Sequence, residues 1–321
     1  MAKPKVGLPR ALLYHRYYKG WKTFFRTLDC KVVNSDYSTK DILDKGVKVA
    51  EEETCLPVKL FLGHVEDLKN KTDYIFVPRL VSVEKNKFLC PKFLGLPEMV
   101  QSSILGLPEI IDVTVDLRDR KSNLLQTALQ IAEQLNKSYY QGLKAFIKGY
   151  FAFRSSIQNK NKEETLQYKV GILGHEYIVY DDYINMGLMS KLEELGVSAV
   201  TTEMLSDKEL NNGLSQVSEN MFWTFSKRML GTAYHFFTAN DIDGIIQLTA
   251  FGCGPDSLVG EMIARDSKEK TDLPFMSLNL DEHTGQAGLI TRLEAFIDML
   301  KWKEGKNESN FSSNGDYGNS C

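Results

Sequence analysis

The chain has 321 residues and a mass of 36.4 kDa, and its 43% hydrophobic and 25% charged residues exclude an intrinsically disordered or collagen-like chain. Its 39 basic and 42 acidic residues give a formal charge of −3, which argues against a general nucleic-acid binder with a net basic surface. No apolar stretch is long enough to span a membrane, and no signal-peptide core opens the sequence, so we expect a cytoplasmic protein with reduced thiols.

Short β-branched apolar runs alternate with longer segments of helical periodicity along the first half of the chain. The runs predict four strands, at residues 5–10, 31–35, 73–81 and 109–117. Helices are predicted at about 10–27, from a cap at Ser38-Thr39 to about Glu52, and after Pro57. Alternating strands and helices are typical of a parallel sheet with right-handed crossovers, so residues 1–118 are predicted to form a first α/β domain.

The second half repeats this plan after a helical, polar segment at residues 119–167, which we interpret as a connector. Strands are predicted at 168–174, 197–202, 243–250 and 273–278. Helices are predicted at about 182–195, within 205–240, from Pro255, and at about 287–303. Residues 168–304 therefore form a second predicted α/β domain, and the polar segment 305–321 is predicted to be disordered.

Two pairs of matching segments indicate an internal repeat. KVG occurs at 5–7 and at 169–171, and DYIF at 73–76 corresponds to DGII at 243–246. The fold class predicted is therefore α/β, with two doubly wound parallel-sheet domains of similar topology. Ligands of such sheets bind beyond the carboxyl ends of the strands, so we expect the functional site in the cleft between the domains.

Three of the five cysteines share a local pattern. Cys55, Cys90 and Cys253 each precede a proline by one or two positions, in ETCLPVK, FLCPKFLG and FGCGPDSLVG. Turns fixed by proline and glycine can direct backbone N–H groups at a sulfur, and such donors stabilise thiolates and the sulfurs of iron–sulfur clusters. The pattern favours an iron–sulfur site formed by these three residues.

Two other interpretations of the three cysteines stay open. They could be small buried apolar residues, as most free cysteines are. They could also bind zinc, which needs a fourth ligand, and His64 or His283 could supply it. The remaining two, Cys30 and Cys321, are interpreted as having no role in a site.

Polar residues near the predicted strand ends are further candidates. Glu282 and His283, in DEHTGQAG, could exchange protons in the cleft, although the segment could equally be an ordinary capped turn. Arg79, after the third strand, could balance the charge of a cluster or pair with Glu84. Three more candidate cleft residues lie in GHEYIVYDDYIN: His175, Tyr177 and Asn185.

Long segments of the chain resemble the DUF2229 family, whose members are related to 2-hydroxyacyl-CoA dehydratase components and described as acyl-CoA dehydratase activase-related. The resemblance covers about residues 4 to 303. The segments that carry it are GLPRALLYHRYYKGWKTFF, EETCLPVKLFLGHVEDL, DYIFVPRLVSVEKNKFLCPKFLGLPEM, FGCGPDSLVGE and LDEHTGQAGLITRLEAFIDML.

The resemblance implies a cofactor and a partner. Related dehydratase and double-cubane proteins hold a [4Fe-4S]-type cluster with three cysteines per unit, which by resemblance are Cys55, Cys90 and Cys253 here. The cluster would stand alone or form part of a double-cubane cluster. The dehydratases receive low-potential electrons from an ATP-hydrolysing iron–sulfur activase. Because this sequence has no G-x-x-x-x-G-K-[ST] loop, we expect the activase to be a partner, with a reduced ferredoxin as the alternative donor.

The sequence thus predicts an iron–sulfur protein of the 2-hydroxyacyl-CoA dehydratase-related class that handles low-potential electrons. As an enzyme it would be a reductase or a dehydratase-type component, in an oligomer with itself or a related subunit. The alternative function is a non-catalytic two-lobed binding or assembly module, with or without a structural metal. Neither function involves nucleic acid or a membrane.

Overall fold

A computed structural model describes residues 2–119, 123–158, 166–217 and 221–313. Ten strands lie in these ranges: β1 (Lys5–Leu8), β2 (Lys31–Asn34), β3 (Tyr74–Phe76), β4 (Arg79–Ser82), β5 (Glu109–Ile111), β6 (Thr114–Asp116), β7 (Tyr168–Leu173), β8 (Val197–Thr201), β9 (Gly244–Ala250) and β10 (Phe275–Leu280).

The same ranges contain thirteen α-helices: α1 (Tyr14–Thr27), α2 (Lys40–Val49), α3 (Leu56–Leu68), α4 (Pro91–Leu94), α5 (Leu96–Ser103), α6 (Asn123–Gln134), α7 (Tyr139–Gln158), α8 (Glu176–Val179), α9 (Leu188–Glu194), α10 (Asp207–Leu214), α11 (Thr224–Thr238), α12 (Gly254–Lys270) and α13 (Gln286–Ser313). Within the described part of the chain, no helix combines the length and the apolar character needed to cross a membrane.

Two four-stranded parallel sheets have the same topology. The first has the order β2-β1-β3-β5 and the second β8-β7-β9-β10, so in each sheet the first strand of the domain lies between the second and the third. The predicted pair of doubly wound α/β domains is confirmed. The largest buried apolar cluster contains residues of both domains, including Leu60, Ile178 and Leu248, so the domains share a core.

The third and fourth predicted strands are each divided in two, and Pro78 lies at the division of the third. Pro78 has no backbone N–H, and it separates β3 from β4. The neighbouring strand divides at the same level, into β5 and β6, and β4 pairs only with β6 in a small parallel sheet. Val77 and Arg79 still donate backbone hydrogen bonds across the division, to Ile111 and Val113. The loop after β4 contacts the second domain, where the Phe88 N–H donates to the Phe222 carbonyl.

The segment between the two sheets forms helices α6 and α7, which pack on the first domain. Helix α7 lies against α1 along its length, and a Cβ added at Gly20 would come within 3.2 Å of the Gly149 backbone oxygen. The rings of Tyr17 and Phe153 pack at a tilt of 37° beside this crossing, with centroids 5.0 Å apart. The predicted connector is therefore packed structure over the part that the model describes.

Helices α2 and α3 approach each other more closely than any side chain would allow. A Cβ at Gly46 would lie 1.8 Å from the Lys59 carbonyl oxygen, and one at Gly63 would lie 1.9 Å from that of Ile42. Only glycine fits at both positions. This contact fixes the position of α3, at whose first turn Cys55 lies.

Two predicted helix boundaries are wrong. The helix expected at 182–195 begins only at Leu188, because Met186 and Gly187 both adopt left-handed backbone angles, with φ of 57° and 74°. The last helix was expected to end near Lys303 but continues to Ser313, because one glycine, Gly305, is tolerated inside a helix. Residues 314–321, which complete the predicted disordered segment, lie outside the described residues.

Candidate functional site

Cys55, Cys90 and Cys253 occupy equivalent positions, each immediately before the first residue of a helix. They precede α3, α4 and α12, and each helix has proline at its first or second position. Proline there has a backbone angle suited to a helix start and loses no hydrogen bond, so the three cysteine–proline patterns mark three helix N-termini. All three cysteines line one cavity at the contact between the domains.

Two backbone features bring the cysteine loops together. Gly252 has a φ of 77°, and a Cβ added to it would lie 3.3 Å from the Cα of Cys55, so this loop passes directly over Cys55. Phe88 forms a backbone bridge with Trp223 of the second domain, which holds the loop before Cys90. The convergence therefore depends on contacts between segments that are far apart in the sequence.

Five aromatic side chains form part of the cavity wall. The cavity is small, with a volume of about 30 Å³. The centroid of Phe93 lies 6.1 Å from that of Tyr177, which in turn lies 6.4 Å from that of Phe225. The aromatic residues that line the cavity are Phe88, Phe93, Tyr177, Trp223 and Phe225. Such a wall limits the access of water to the sulfurs, although Cys90 and Cys253 are still partly exposed.

Burial raises the pKa of all three thiols. In each case a nearby backbone N–H opposes this rise in pKa: that of Val58 at Cys55, that of Lys92 at Cys90 and that of Asp256 at Cys253. None of the three sulfurs makes a capping hydrogen bond of standard geometry. The shift is largest at Cys253, where the Asp256 carboxylate adds to it. The three thiols are therefore protonated at neutral pH and are not activated nucleophiles, but a metal can displace their protons.

His175 and Asp256 form a buried ion pair beside Cys253. His175 Nε2 lies 2.7 Å from Asp256 Oδ1, and both side chains are almost completely buried. Burial disfavours the imidazolium, but the Asp256 carboxylate outweighs it and raises the pKa of His175. Ligand atoms of His175, Cys253 and Asp256 all lie within 4.8 Å of one another, a donor set that can hold a metal ion.

Two further polar groups belong to this cavity. Burial raises the pKa of Tyr177 well above its usual range, so its hydroxyl stays protonated and can donate a hydrogen bond. Ser226 lines the cavity and is 1% exposed, and its hydroxyl has no hydrogen-bond partner among the described residues. A buried hydroxyl without a partner is unfavourable unless a bound group supplies one.

Family comparison agrees with the resemblance noted in the sequence. A family model described as "CoA enzyme activase uncharacterised domain (DUF2229)" matches residues 5–205. The chain belongs to this family. A second model, "2-hydroxyglutaryl-CoA dehydratase, D-component", matches residues 112–300, so this DUF2229 protein is also related to the 2-hydroxyacyl-CoA dehydratases. No curated protein matches the chain.

Two solved structures of the SBP FpvC from Pseudomonas aeruginosa align with most of this DUF2229 chain at low similarity. One, in complex with Mn²⁺, has 14% identity and a TM-score of 0.30, over 94% of this chain and 100% of that chain. The other, of an FpvC mutant, has 13% identity and a TM-score of 0.26, over 92% and 99%.

Of the other candidates from the sequence, only His175 and Tyr177 line the cysteine cavity. Asn185 is buried in the loop before α9, where its side chain donates to the Val179 carbonyl and accepts from the Gly187 N–H, so it stabilises that loop. The Arg79 guanidinium binds the Glu98 carboxylate and the Leu94 carbonyl at 2.8 and 2.9 Å. Arg79 thus fixes the start of α5 and pairs with neither Glu84 nor a group of the cavity.

Glu282 and His283 lie outside the cysteine cavity. Glu282 lines a larger cavity of about 450 Å³ between the domains, and the Lys59 ammonium donates to its carboxylate at 2.6 Å. This hydrogen bond lowers the pKa of Glu282, which disfavours a role as proton donor. His283 is exposed, and its backbone N–H donates to Asp281.

Asp256 and Ser226 were not found from the sequence. Asp256 lies three residues after Cys253, in the first turn of α12. A carboxylate in the first turn of a helix, beside a candidate ligand, was the sequence feature that could have identified it. Ser226, in α11, has no such signal. Cys30 is buried in the apolar core of the first domain, away from the cavity. Cys321 lies outside the described residues.

His64, a proposed fourth zinc ligand, belongs to a separate buried network. Ser38 donates its hydroxyl hydrogen to Asp181 Oδ2 at 2.5 Å, so the Nε2–H of His64, 3.1 Å away, donates to the Ser38 oxygen. Burial lowers the pKa of His64 to about 3. The negative charge of Asp67 opposes this shift, and the positive charges of His15 and Arg10 add to it. His64 is therefore neutral in the folded protein.

The lowered pKa of His64 predicts a loss of stability in mild acid. The unfolded chain takes up the proton near pH 6.5 and the folded chain only near pH 3, so stability falls as the pH drops through this window. Between pH 7 and pH 5 we expect His64 to account for a loss of about 2 kcal/mol. Urea denaturation at both pH values should show a correspondingly smaller loss for His64→Gln, and an unchanged loss for His283→Gln. Parallel curves for wild type and His64→Gln would contradict the assignment.

Proposed function

We propose that Cys55, Cys90 and Cys253 bind one [4Fe-4S]-type cluster, through which this dehydratase-related protein handles low-potential electrons. The observation that carries the proposal is the meeting of three cysteines from remote segments in one aromatic cavity. Three buried, apolar cysteines would need no common position, whereas three cluster ligands must converge on one group.

The residues of the cavity fit such a cluster. The donor set is three soft thiols, and a backbone N–H near each of them favours negative charge on the sulfur. The dipoles of α3 and α12 add to this effect at Cys55 and Cys253. The unpartnered hydroxyl of Ser226 faces a cavity that a bound group would fill. The thiols are protonated when no metal is bound, so loading should release protons.

Several residues of the cavity would have separate roles around the cluster. A cluster with three protein ligands supplies electrons and one iron that can act as a Lewis acid toward a substrate oxygen. Tyr177 and the other aromatic residues of the wall limit the access of water. The Asp256 carboxylate raises the pKa of His175, so it favours the protonated imidazole, which could act as a proton donor beside Cys253. This arrangement suits a reductase or a dehydratase-type component.

A second candidate is a single metal ion bound by His175, Cys253 and Asp256. Their ligand atoms lie within 4.8 Å of one another, and Cys, His and Asp are all ligands of zinc. The protein would then be a two-lobed binding or assembly module with a structural metal. Only one of the three convergent cysteines would be used, which favours the cluster.

Metal analysis of the full chain, purified without oxygen, separates the two. The cluster predicts about four irons and four sulfides per chain, with broad visible absorption. The single-metal site predicts one metal and no acid-labile sulfide. Folded protein that still lacks iron and sulfide after anaerobic reconstitution would refute the proposal.

The electron donor we propose is an ATP-dependent iron–sulfur activase. The chain combines a domain named for a CoA enzyme activase with a dehydratase component, which ties it to systems of this kind. The sequence lacks a P-loop motif, which supports a separate donor chain.

A further inference from the structure

A cavity that we call the second cavity lies on the other side of Phe225 from the cysteines, and it is distinct from the larger cavity at Glu282. It measures about 380 Å³, within the usual range for a small-molecule site, and its walls come from α1, the turn after β4, α10 and α11. Phe225 is the one residue that lines both cavities. None of the three candidate cluster ligands lines the second cavity.

Basic side chains surround the second cavity, and one of them is unpaired. Arg16 is paired with Glu176, and the Lys227 ammonium binds Glu84 at 2.9 Å. The guanidinium of Arg228 makes no ion pair or hydrogen bond with any described residue, although it lines the cavity. The remaining acid of the wall, Asp207, is exposed, so solvent and salt screen its charge.

A buried hydroxyl group lies at the same wall. Thr224 lines the cavity and is 4% exposed, and its Oγ1 has no hydrogen-bond partner among the residues described. Thr224 is the first residue of α11, a helix of 15 residues, so the positive end of the helix dipole also points here. The Thr224 N–H donates to the Phe88 carbonyl and the Lys227 N–H to the Trp223 carbonyl, so the N–H groups of Phe225 and Ser226 are the ones left available in the first turn.

We propose that this cavity binds the carboxylate or phosphate group of a small anionic molecule. The planar fork of Arg228 can donate two parallel hydrogen bonds to either group, which Lys227 cannot do. An oxygen of the anion would give the Thr224 hydroxyl its missing partner. A neutral or cationic ligand would leave Arg228 uncompensated.

Calorimetric titration of the full chain with inorganic phosphate, and separately with succinate, tests the proposal. We expect saturable binding of at least one anion at one site per chain, and the one that binds identifies the group as phosphate or carboxylate. Arg228→Gln and Thr224→Val should each weaken binding about tenfold or more, because each removes a hydrogen bond to a charged group. Two matched controls should bind as the wild type does: Arg26→Gln, which removes an exposed charge on α1, and Thr238→Val, at the far end of α11.

Three results would overturn the proposal. The first is that neither anion binds at millimolar concentration. The second is that both site variants bind as tightly as the wild type does. The third is that Arg26→Gln weakens binding as much as Arg228→Gln does. The last result would mean that only net charge is measured. Circular dichroism shows which variants are folded, and Arg228→Gln, on a partly exposed side chain without partners, keeps the test valid if Thr224→Val unfolds.

Discussion

Replacing Cys55, Cys90 or Cys253 with serine is expected to remove most of the iron and sulfide from the protein. Serine offers a hard oxygen that is rarely deprotonated, a poor substitute for the soft thiolate that iron–sulfur clusters require. A cubane that loses one of only three protein ligands is held by two. We therefore expect iron to fall from about four per chain to well below one in each variant.

Cys30→Ser is the matched control for the three ligand variants. Cys30 is also buried, at 5% exposure, but it lies in the core of the first domain, with its thiol 3.8 Å from the Leu28 carbonyl oxygen. Its replacement with serine should cost a similar amount of packing energy, and it leaves the lining of the cysteine cavity unchanged. Equal iron in all four variants and the wild type, prepared without oxygen, would contradict the cluster assignment.

A similar comparison separates the two metal candidates at the level of single residues. A lone metal on His175, Cys253 and Asp256 would survive replacement of Cys55 and Cys90, because neither belongs to that donor set. A cluster would not survive either change. The pattern of loss therefore distinguishes the sites even if the metal content of the wild type is low.

The sheet topology could be predicted because it depends on patterns that are local in the sequence. Apolar runs such as the one from Tyr168 to Leu173 are buried on both faces of a parallel sheet and stand out from the helices around them. The division at Pro78 was missed, because the apolar run from 73 to 81 was interpreted as one strand although proline cannot donate to a ladder. The small sheet that results depends on pairing with a distant strand. The left-handed turn at Met186 had no signal, because methionine seldom adopts that conformation.

The site could be predicted in part, for the same physical reason. The proline after Cys55, Cys90 and Cys253 marks a helix start, and that is a local property. The groups that complete the cavity, Asp256 and Ser226, come into place only through the contact between the domains. The position of Arg79 near the end of a predicted strand suggested a cavity residue, but its guanidinium binds the Glu98 carboxylate on α5 instead.

Reduction of the cluster is expected to need an activase and ATP. The cluster would lie among three thiolates and the buried carboxylate of Asp256, in a cavity with little water. An added electron increases negative charge where it is poorly solvated, so the reduction potential should be low. The backbone N–H groups near the sulfurs ease this cost without removing it. No described feature of this chain would couple ATP hydrolysis to reduction.

Stopped-flow spectroscopy of the oxidised protein tests this expectation. Mixing with reduced ferredoxin alone should leave the visible absorption almost unchanged, and adding the activase with ATP should bleach it. Asp256→Asn removes one buried negative charge beside Cys253 and should make reduction easier, so it serves as a check on the electrostatic argument. Because His175 would lose its charge partner as well, His175→Gln is measured in parallel. Full and rapid reduction of the wild type by ferredoxin, without ATP or activase, would defeat the prediction and make ferredoxin the donor.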